Sequence, residues 1–318
     1  MSRDPEAPVV VITGASSGIG RATARAYARD GARLVLASRS RTALETVADE
    51  CRALGGRALV VPTDVSHEGE VRALAAAAVG EYGRIDVWVG NAGVFAYGAF
   101  EQLSPRVFRQ VIETNLMGQI HGARAVLPYF RRQGSGALVL VGSLYSRVGS
   151  PLIAPYVTSK FGLLGFAECL RQELRRTGIR VRLILPSTVD TPIYENAANI
   201  TTKHVRPLPP AVSPARVARA IVRAPHRRRF ATFVGRAQAS TVLVHDLTPK
   251  VFDEVASFLV ERVELHGEGA EVSLGTVLDP PEAAGPVTGS WRSPGLRLML
   301  GALATAAAVS GLLVTRRR

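Results

Sequence analysis

The chain has 318 residues, enough for one large core with additions, and at 47% hydrophobic and 20% charged it has the composition of a folded rather than a disordered polypeptide. Its formal net charge of +13, mostly arginine, would suit nucleic acid or an anionic membrane surface, but no nucleic-acid-binding motif is visible and nucleic acid is not expected as a partner. Two cysteines, Cys51 and Cys169, give neither a disulfide framework nor a metal-ligand spacing; buried or half-buried thiols, a reducing compartment and no metal site are expected.

No secretory leader is read at the start, and the first strand comes early. Val9–Thr13 is a short, β-branched apolar run, read as a buried strand. Gly14-Ala15-Ser16-Ser17-Gly18-Ile19-Gly20 follows, and then a helix that Gly31 stops. Strand, glycine turn and helix is the setting a dinucleotide-phosphate loop needs. Glycine lets the backbone approach a pyrophosphate, and the helix N-terminus offers free N–H groups and a positive dipole end.

The second strand, 33–37, runs into Ser38-Arg39-Ser40-Arg41. An acid here would bind a ribose 2′-hydroxyl, whereas an arginine suits a 2′-phosphate, so Arg39 points to NADP(H) over NAD(H). A helix over 41–54 leads to a strand over 58–62 and then to Asp64-Val65, with Ser66 placed to cap the next helix. Asp64, at a strand end, suits either adenine recognition or a turn. The strand 85–89 runs into Gly90-Asn91-Ala92-Gly93.

Ser104 and Pro105 open a helix expected to reach about residue 132. Asn115 sits inside it and fits badly, because its amide competes with backbone bonding; function or a local kink is implied. The strand 137–141 ends at Gly142-Ser143. Pro155 favours a helix start, which would put Tyr156 and Lys160 one above the other on one face. A phenol beside a fixed ammonium should have a lowered pKa. After a strand over 179–185 come Pro186-Ser187-Thr188-Val189-Asp190-Thr191-Pro192, a polar, proline-rich stretch over 193–212 expected to be mobile, a short helix from Ser213-Pro214 and a last strand over 229–234.

These motifs, in this order, resemble the short-chain dehydrogenase/reductase family over about residues 7–235. They are Thr13-Gly14-x-x-x-Gly18-x-Gly20, Asp64-Val65, Asn91-Ala92-Gly93, Asn115, Ser143 and Tyr156-x-x-x-Lys160, with Tyr156 thirteen positions after Ser143, and the proline-led loop to Thr191. The resemblance implies an α/β fold, a doubly wound Rossmann-type parallel sheet of about seven strands with helices on both faces. It implies hydride transfer between NADP(H) and a carbonyl or secondary-alcohol substrate. Tyr156 would be the acid/base. Lys160 would bond the nicotinamide ribose and, with the nicotinium charge, depress the Tyr156 pKa. Ser143 would hold the substrate oxygen, and Asn115 a water leading from Lys160 to solvent. Thr13, Gly14, Ser16, Ser17, Gly18, Ile19, Gly20, Ser38, Arg39, Asp64, Val65, Asn91, Ala92, Gly93, Tyr156, Lys160, Pro186, Val189 and Thr191 would form the cofactor site. A homodimer or tetramer is implied through the helices carrying Asn115 and Tyr156. The chain departs from the family pattern at Gly90, where many members have Asn, and at Ser187, where many have Gly. A non-catalytic NADP-binding sensor or membrane scaffold is the alternative.

Beyond the catalytic unit, 1–235, the chain divides into a helical extension at 236–266, a Pro/Gly-rich linker at 267–295 and an apolar segment at 296–318. Within the last, 298–315 carries no charge and is followed by Arg316, Arg317 and Arg318. Eighteen helical residues span roughly 27 Å, just enough for a bilayer core, so a membrane anchor with the catalytic unit in the cytoplasm and a lipophilic substrate are expected.

Overall fold

The computed structural model describes residues 7–235, 239–281, 283–289 and 291. Seven parallel strands form the central sheet: β1 (Val9–Thr13), β2 (Arg33–Ser38), β3 (Arg57–Pro62), β4 (Val87–Gly90), β6 (Gly136–Val141), β7 (Ile179–Pro186) and β10 (Ala231–Val234). Their order is β10-β7-β6-β4-β1-β2-β3. The chain winds outward from β1 to β3, then crosses back to β4 on the other side of β1. Two neighbouring strands therefore send their following loops apart, which opens a crevice at their carboxyl ends.

Both faces of the sheet are covered, so its strands are apolar runs rather than alternating ones. Val10, Ile12, Leu34 and Leu36 pack with helices α1 (Gly18–Arg29), α2 (Arg41–Ala53) and α7 (Pro214–Arg223). Val11, Val35, Trp88, Leu138 and Leu140 point the other way, toward α3 (Glu68–Tyr82), α5 (Gly118–Gln133) and α6 (Ala154–Glu173). The expected doubly wound α/β fold is the fold observed. Cys51 is buried in the first layer, whereas Cys169 is exposed on α6, contrary to the expectation that both thiols would be at least half-buried; neither is in a disulfide.

The expected helix over 104–132 is two helices. α4 (Pro105–Ile112) passes through a π-helical turn, Glu113–Met117, into α5. The misfit of Asn115 marks this turn, which rotates its side chain fully into the interior. Ser66 is not the cap of α3; the helix starts one residue later with His67 as N-cap, because the Ser66 hydroxyl and N–H are both bonded to Asp64.

The stretch 193–212 is tied down rather than loose. β8 (Ala198–Asn199) pairs with β5 (Ala96–Tyr97), and β9 (His204–Val205) pairs antiparallel with β11 (Leu265–His266). The extension contains α8 (Thr241–Leu247), α9 (Pro249–Leu259) and a second π-helical turn, Val260–Glu264. The described part of 267–295 is not a free linker. Val277 is fully buried against Val94, Ala96, Leu103, Val107, Val111 and Ala198, and Ser273 and Thr276 bond the backbone at Asn199 and Asn196. Two apolar side chains, Val277 and Leu278, anchor a segment whose composition is otherwise that of a loop. Among the described residues no helix is long and apolar enough to cross a membrane, and 296–318 lies outside them.

Candidate active site

A cavity of about 1060 Å³ opens at the carboxyl ends of the strands. Gly14, Ser16, Ser17, Gly18, Ile19, Ser38, Arg39, Asp64, Val65, Asn91, Ala92, Gly93, Ser143, Tyr156, Lys160, Pro186, Val189 and Thr191 line it. Thr13, Gly20 and Asn115 do not, and each braces the site from behind.

Thr13 ends β1 and accepts the backbone N–H groups of Asn91 and Ala92 on its hydroxyl at 3.0 and 3.2 Å. The Asn91 amide donates back to the carbonyls of Thr13 and Gly14. The crest after β4 is thereby stapled to the glycine loop after β1. Gly14 has φ of +65°, and a side chain on Gly20 would strike the Gly14 carbonyl, so both positions demand glycine.

Ser17 caps α1 in extended conformation without a side-chain hydrogen bond, leaving the helix N-terminus to other acceptors. The acceptor on Gly18 N–H is the carbonyl oxygen of Pro286, at 3.1 Å. Arg21 donates to the neighbouring Gly285 carbonyl at 2.7 Å. An electronegative oxygen thus already sits on the N–H that a phosphate oxygen would use. Such an N–H, in a loop as closely packed as these glycines allow, would suit a phosphate oxygen.

Arg39 is half-buried at the end of β2, and its guanidinium donates to the carbonyls of Thr276 and Leu278 at 2.6 and 3.1 Å. Asp64 and Asp279 are the carboxylates that offset its charge. Asp64 accepts both the N–H and hydroxyl of Ser66 on one oxygen, so the turn-forming reading of Asp64 holds for that oxygen. Val65 seats its side chain against Gly118, and its carbonyl faces His121 at 3.0 Å.

Gly90 has a local reason. A side chain there would overlap the Gln119 carboxamide, which donates to the Ala92 carbonyl at 3.1 Å. Ser187 is not at positive φ, so its position needs no glycine; its N–H and hydroxyl both bond the Val234 carbonyl.

Pro155 lies in the first turn of α6 as expected, and Tyr156 and Lys160 share the buried face of that helix with Ser159 and Leu163. Asn115 accepts the Val94 N–H at 2.8 Å and donates to the Val94 carbonyl at 2.9 Å and to Ser159 Oγ at 3.3 Å. Ser159 in turn donates to the Tyr156 carbonyl at 2.7 Å. Both amide hydrogens of Asn115 are therefore spent, and only acceptor capacity is left for a water.

The expectation of a lowered Tyr156 pKa does not hold in this geometry. Burial pushes the phenol up to about 12, against a smaller lowering from the Ser143 hydroxyl beside it. Burial also pulls Lys160 down to about 8. The Lys160 ammonium donates to the Val141 carbonyl at 3.0 Å and lies 5.4 Å from the Tyr156 ring centroid. Burial decides both shifts, because each charged form loses its water.

Several cavity residues carry no motif. The Phe95 ring stacks 4.1 Å from that of Tyr156, and Tyr145 meets Tyr156 edge-on at 6.3 Å. Tyr194 and Glu264 complete that wall. Phe95 could have been flagged as an aromatic two residues after Asn91-Ala92-Gly93. Glu264 lies more than a hundred residues from Tyr156 and had no signal. Asp190, buried between Val189 and Thr191, accepts the backbone N–H groups of Gly289 and Trp291 at 3.1 and 2.7 Å.

Residues 8–200 match the short chain dehydrogenase family. The chain belongs to the short-chain dehydrogenase family. An uncharacterized oxidoreductase of Bacillus subtilis strain 168, YxnA, is 35% identical over 269 residues, which is 83% of this chain and 74% of that protein. A family member from Burkholderia phymatum, solved with NAD, has a TM-score of 0.71 at 28% identity and covers 79% of this chain and 97% of its own. An alcohol dehydrogenase from the archaeon Thermococcus sibiricus, solved with 5-hydroxy-NADP, has a TM-score of 0.64 at 30% identity and covers 72% of this chain and 96% of its own. The chain is thus an oxidoreductase of a fold that binds nicotinamide cofactors.

The depressed Lys160 pKa predicts a stability effect in the cofactor-free protein. Its value of about 8 lies below the ordinary 10.5, so the folded state binds fewer protons than the unfolded chain between these limits. Stability then rises with pH across that window, and the cost of holding Lys160 charged is full below about pH 8. Lys160→Met should raise the melting temperature most near neutral pH, with the gain shrinking as pH climbs toward 10. A gain that is flat or grows with pH would refute a buried, destabilised ammonium.

Proposed function

We propose that this chain is an NADP(H)-dependent carbonyl reductase or alcohol dehydrogenase acting on a lipophilic substrate. The observation that carries this reading is that Ser143, Tyr156 and Lys160 line the same cavity as the glycine loop. The cofactor supplies hydride when bound. Gly14, Ser16, Ser17, Gly18 and Ile19 would hold its pyrophosphate, with Asn91, Ala92 and Gly93 beneath and Pro186, Val189 and Thr191 on the far side.

Ser143 would bond the substrate oxygen and aim it at Tyr156. A phenol with pKa near 12 stays protonated at neutral pH, so Tyr156 is set up to donate a proton to that oxygen as negative charge develops there. Reduction is the direction this favours. Lys160 would bond the nicotinamide ribose, and Ser159 and Asn115 would hold the backbone that carries the phenol.

The choice of NADP(H) rests on Arg39 and on the lack of an acid at the end of β2. The two carbonyls now on the guanidinium are neutral acceptors, which a phosphate dianion would outcompete. The lipophilic substrate is supported by Val148, Phe252, Val255 and Leu259 around the cavity. Membrane attachment through 296–318 is proposed from its charge-free run, with the cytoplasm as the place of the catalytic unit. The exposed apolar residues Leu243, Leu247, Val251 and Phe258 on α8 and α9 support a greasy surface nearby.

Tyr156→Phe should lower turnover by about 10²–10⁴-fold while NADPH binding, read by fluorescence, stays nearly unchanged. Retained turnover would sink the proton-donor role. Arg39→Asp should shift the ratio of kcat/KM values toward NADH, and an unmoved ratio would take Arg39 out of the phosphate site. Deleting 296–318 should move the protein from the membrane to the soluble fraction; a full-length protein found only in the soluble fraction would remove the anchor.

A further inference from the structure

The wall of the cavity beyond Tyr156 is aromatic. Phe95 lies 4.1 Å from the Tyr156 ring and 4.8 Å from Tyr97, and Tyr145 and Tyr194 close the sides. One carboxyl stands in this wall. Glu264 is 3% exposed and accepts a hydrogen bond from the Tyr97 hydroxyl on Oε1 at 2.6 Å. Among the described residues Tyr97 is the one side chain bonded to that carboxyl, and Glu264 lines the cavity.

A carboxyl buried among aromatic rings is costly unless each oxygen finds a donor. The protein provides one side-chain donor, to Oε1, and Glu264 lines the cavity. The placement is built rather than incidental. Glu264 ends the π-helical turn Val260–Glu264, and its carbonyl accepts Arg206 N–H at 2.7 Å where β11 begins to pair with β9. The other π-helical turn, Glu113–Met117, likewise buries two polar residues, Thr114, which lines the cavity, and Asn115, which braces it from behind. Such turns recur where a helix must re-aim a side chain for a purpose other than its own stability.

We propose that Glu264 is a substrate-binding residue whose free carboxyl oxygen receives the hydroxyl of a hydroxylated carbonyl compound, with the reacting carbonyl at Tyr156 and the hydroxyl at the far end of the Phe95 wall. This rests on the carbonyl-reductase reading. The substrate class is then an apolar or aromatic ketone or aldehyde bearing a second, unreacting hydroxyl. Burial pushes the Glu264 carboxyl up to about 7, which suits a neutral hydroxyl: the carboxylate accepts from it and the acid donates to it. A permanently charged ammonium would be served only by the carboxylate.

The test uses the full-length protein with NADPH and aryl ketones in matched pairs, para-hydroxy against para-methoxy, over a series of spacer lengths between ring and carbonyl. A third member of each set carries a para-aminomethyl group. At the spacer that fits, the hydroxyl member should have a kcat/KM about tenfold or more above both others, mainly through KM. Glu264→Gln should weaken that preference. The double variant Tyr97→Phe with Glu264→Met, which removes both partners at once, should abolish it.

Equal turnover of all members at every spacer overturns the subsite and leaves carbonyl reduction standing. Preference for the aminomethyl member overturns the hydroxyl assignment. A hydroxyl preference that survives both variants removes Glu264 from it. A wild-type protein that binds NADPH but turns over no carbonyl compound overturns the reading beneath the subsite, and the subsite with it. Should the double variant fail to fold, the wild-type ratio and the Glu264→Gln ratio still decide.

Discussion

One carboxamide joins the parts of this site. Asn115 holds the N–H and carbonyl of Val94 with one side chain, and through Ser159 it reaches the backbone of Tyr156. Val94 follows directly on Asn91-Ala92-Gly93, which Thr13 staples to the glycine loop. The chain of contacts therefore runs from the glycine loop after β1, across the crest of β4, to the helix that carries the phenol. The bonds made by Asn115 and Ser159 are buried, where each lost bond strands a donor or an acceptor without water. The π-helical turn is what makes it reachable, since a regular helix would carry residue 115 past Val94.

Burial also decides the electrostatics. Lys160 and Tyr156 are placed as the spacing foretells, yet the low dielectric around them favours the neutral form of each. The ammonium is held by the Val141 carbonyl at the end of β6, so its position is fixed by the sheet rather than by the phenol. A proton donor of high pKa and a cation of low pKa sit side by side, and a bound anionic or dipolar group would change both.

The segment beyond residue 272 is part of the site. Val277 and Leu278 seat it in an apolar pocket, and Asp190 holds its far end through Gly289 and Trp291. Between these anchors its carbonyls satisfy Gly18, Arg21 and Arg39. The donor groups of the glycine loop and of Arg39 are thus met by neutral backbone oxygens. The bonds from Arg21 and Arg39 are charge-assisted through the donor, and they lack the second charge that an anion would bring.

The sequence by itself determined the sheet, the glycine loop and the place of Tyr156 and Lys160 on one face of α6. Those rest on local chemistry: apolar β-branched runs, glycines where φ is positive or a neighbour is too close, a proline that opens a helix. It also signalled the kink, through one asparagine that suits a helix badly. Tertiary structure alone decided the rest. The direction of the Tyr156 and Lys160 shifts depends on how much water the fold removes, which no spacing records. Gly90 and Ser187 are explained by Gln119 and Val234, residues far along the chain. Glu264 and Thr276 reach the cavity from far along the chain, and the Pro286 carbonyl meets the Gly18 N–H across 268 positions. Such pairings arise only when a strand pair or a buried valine closes a long loop, and loop closure leaves no local trace in composition.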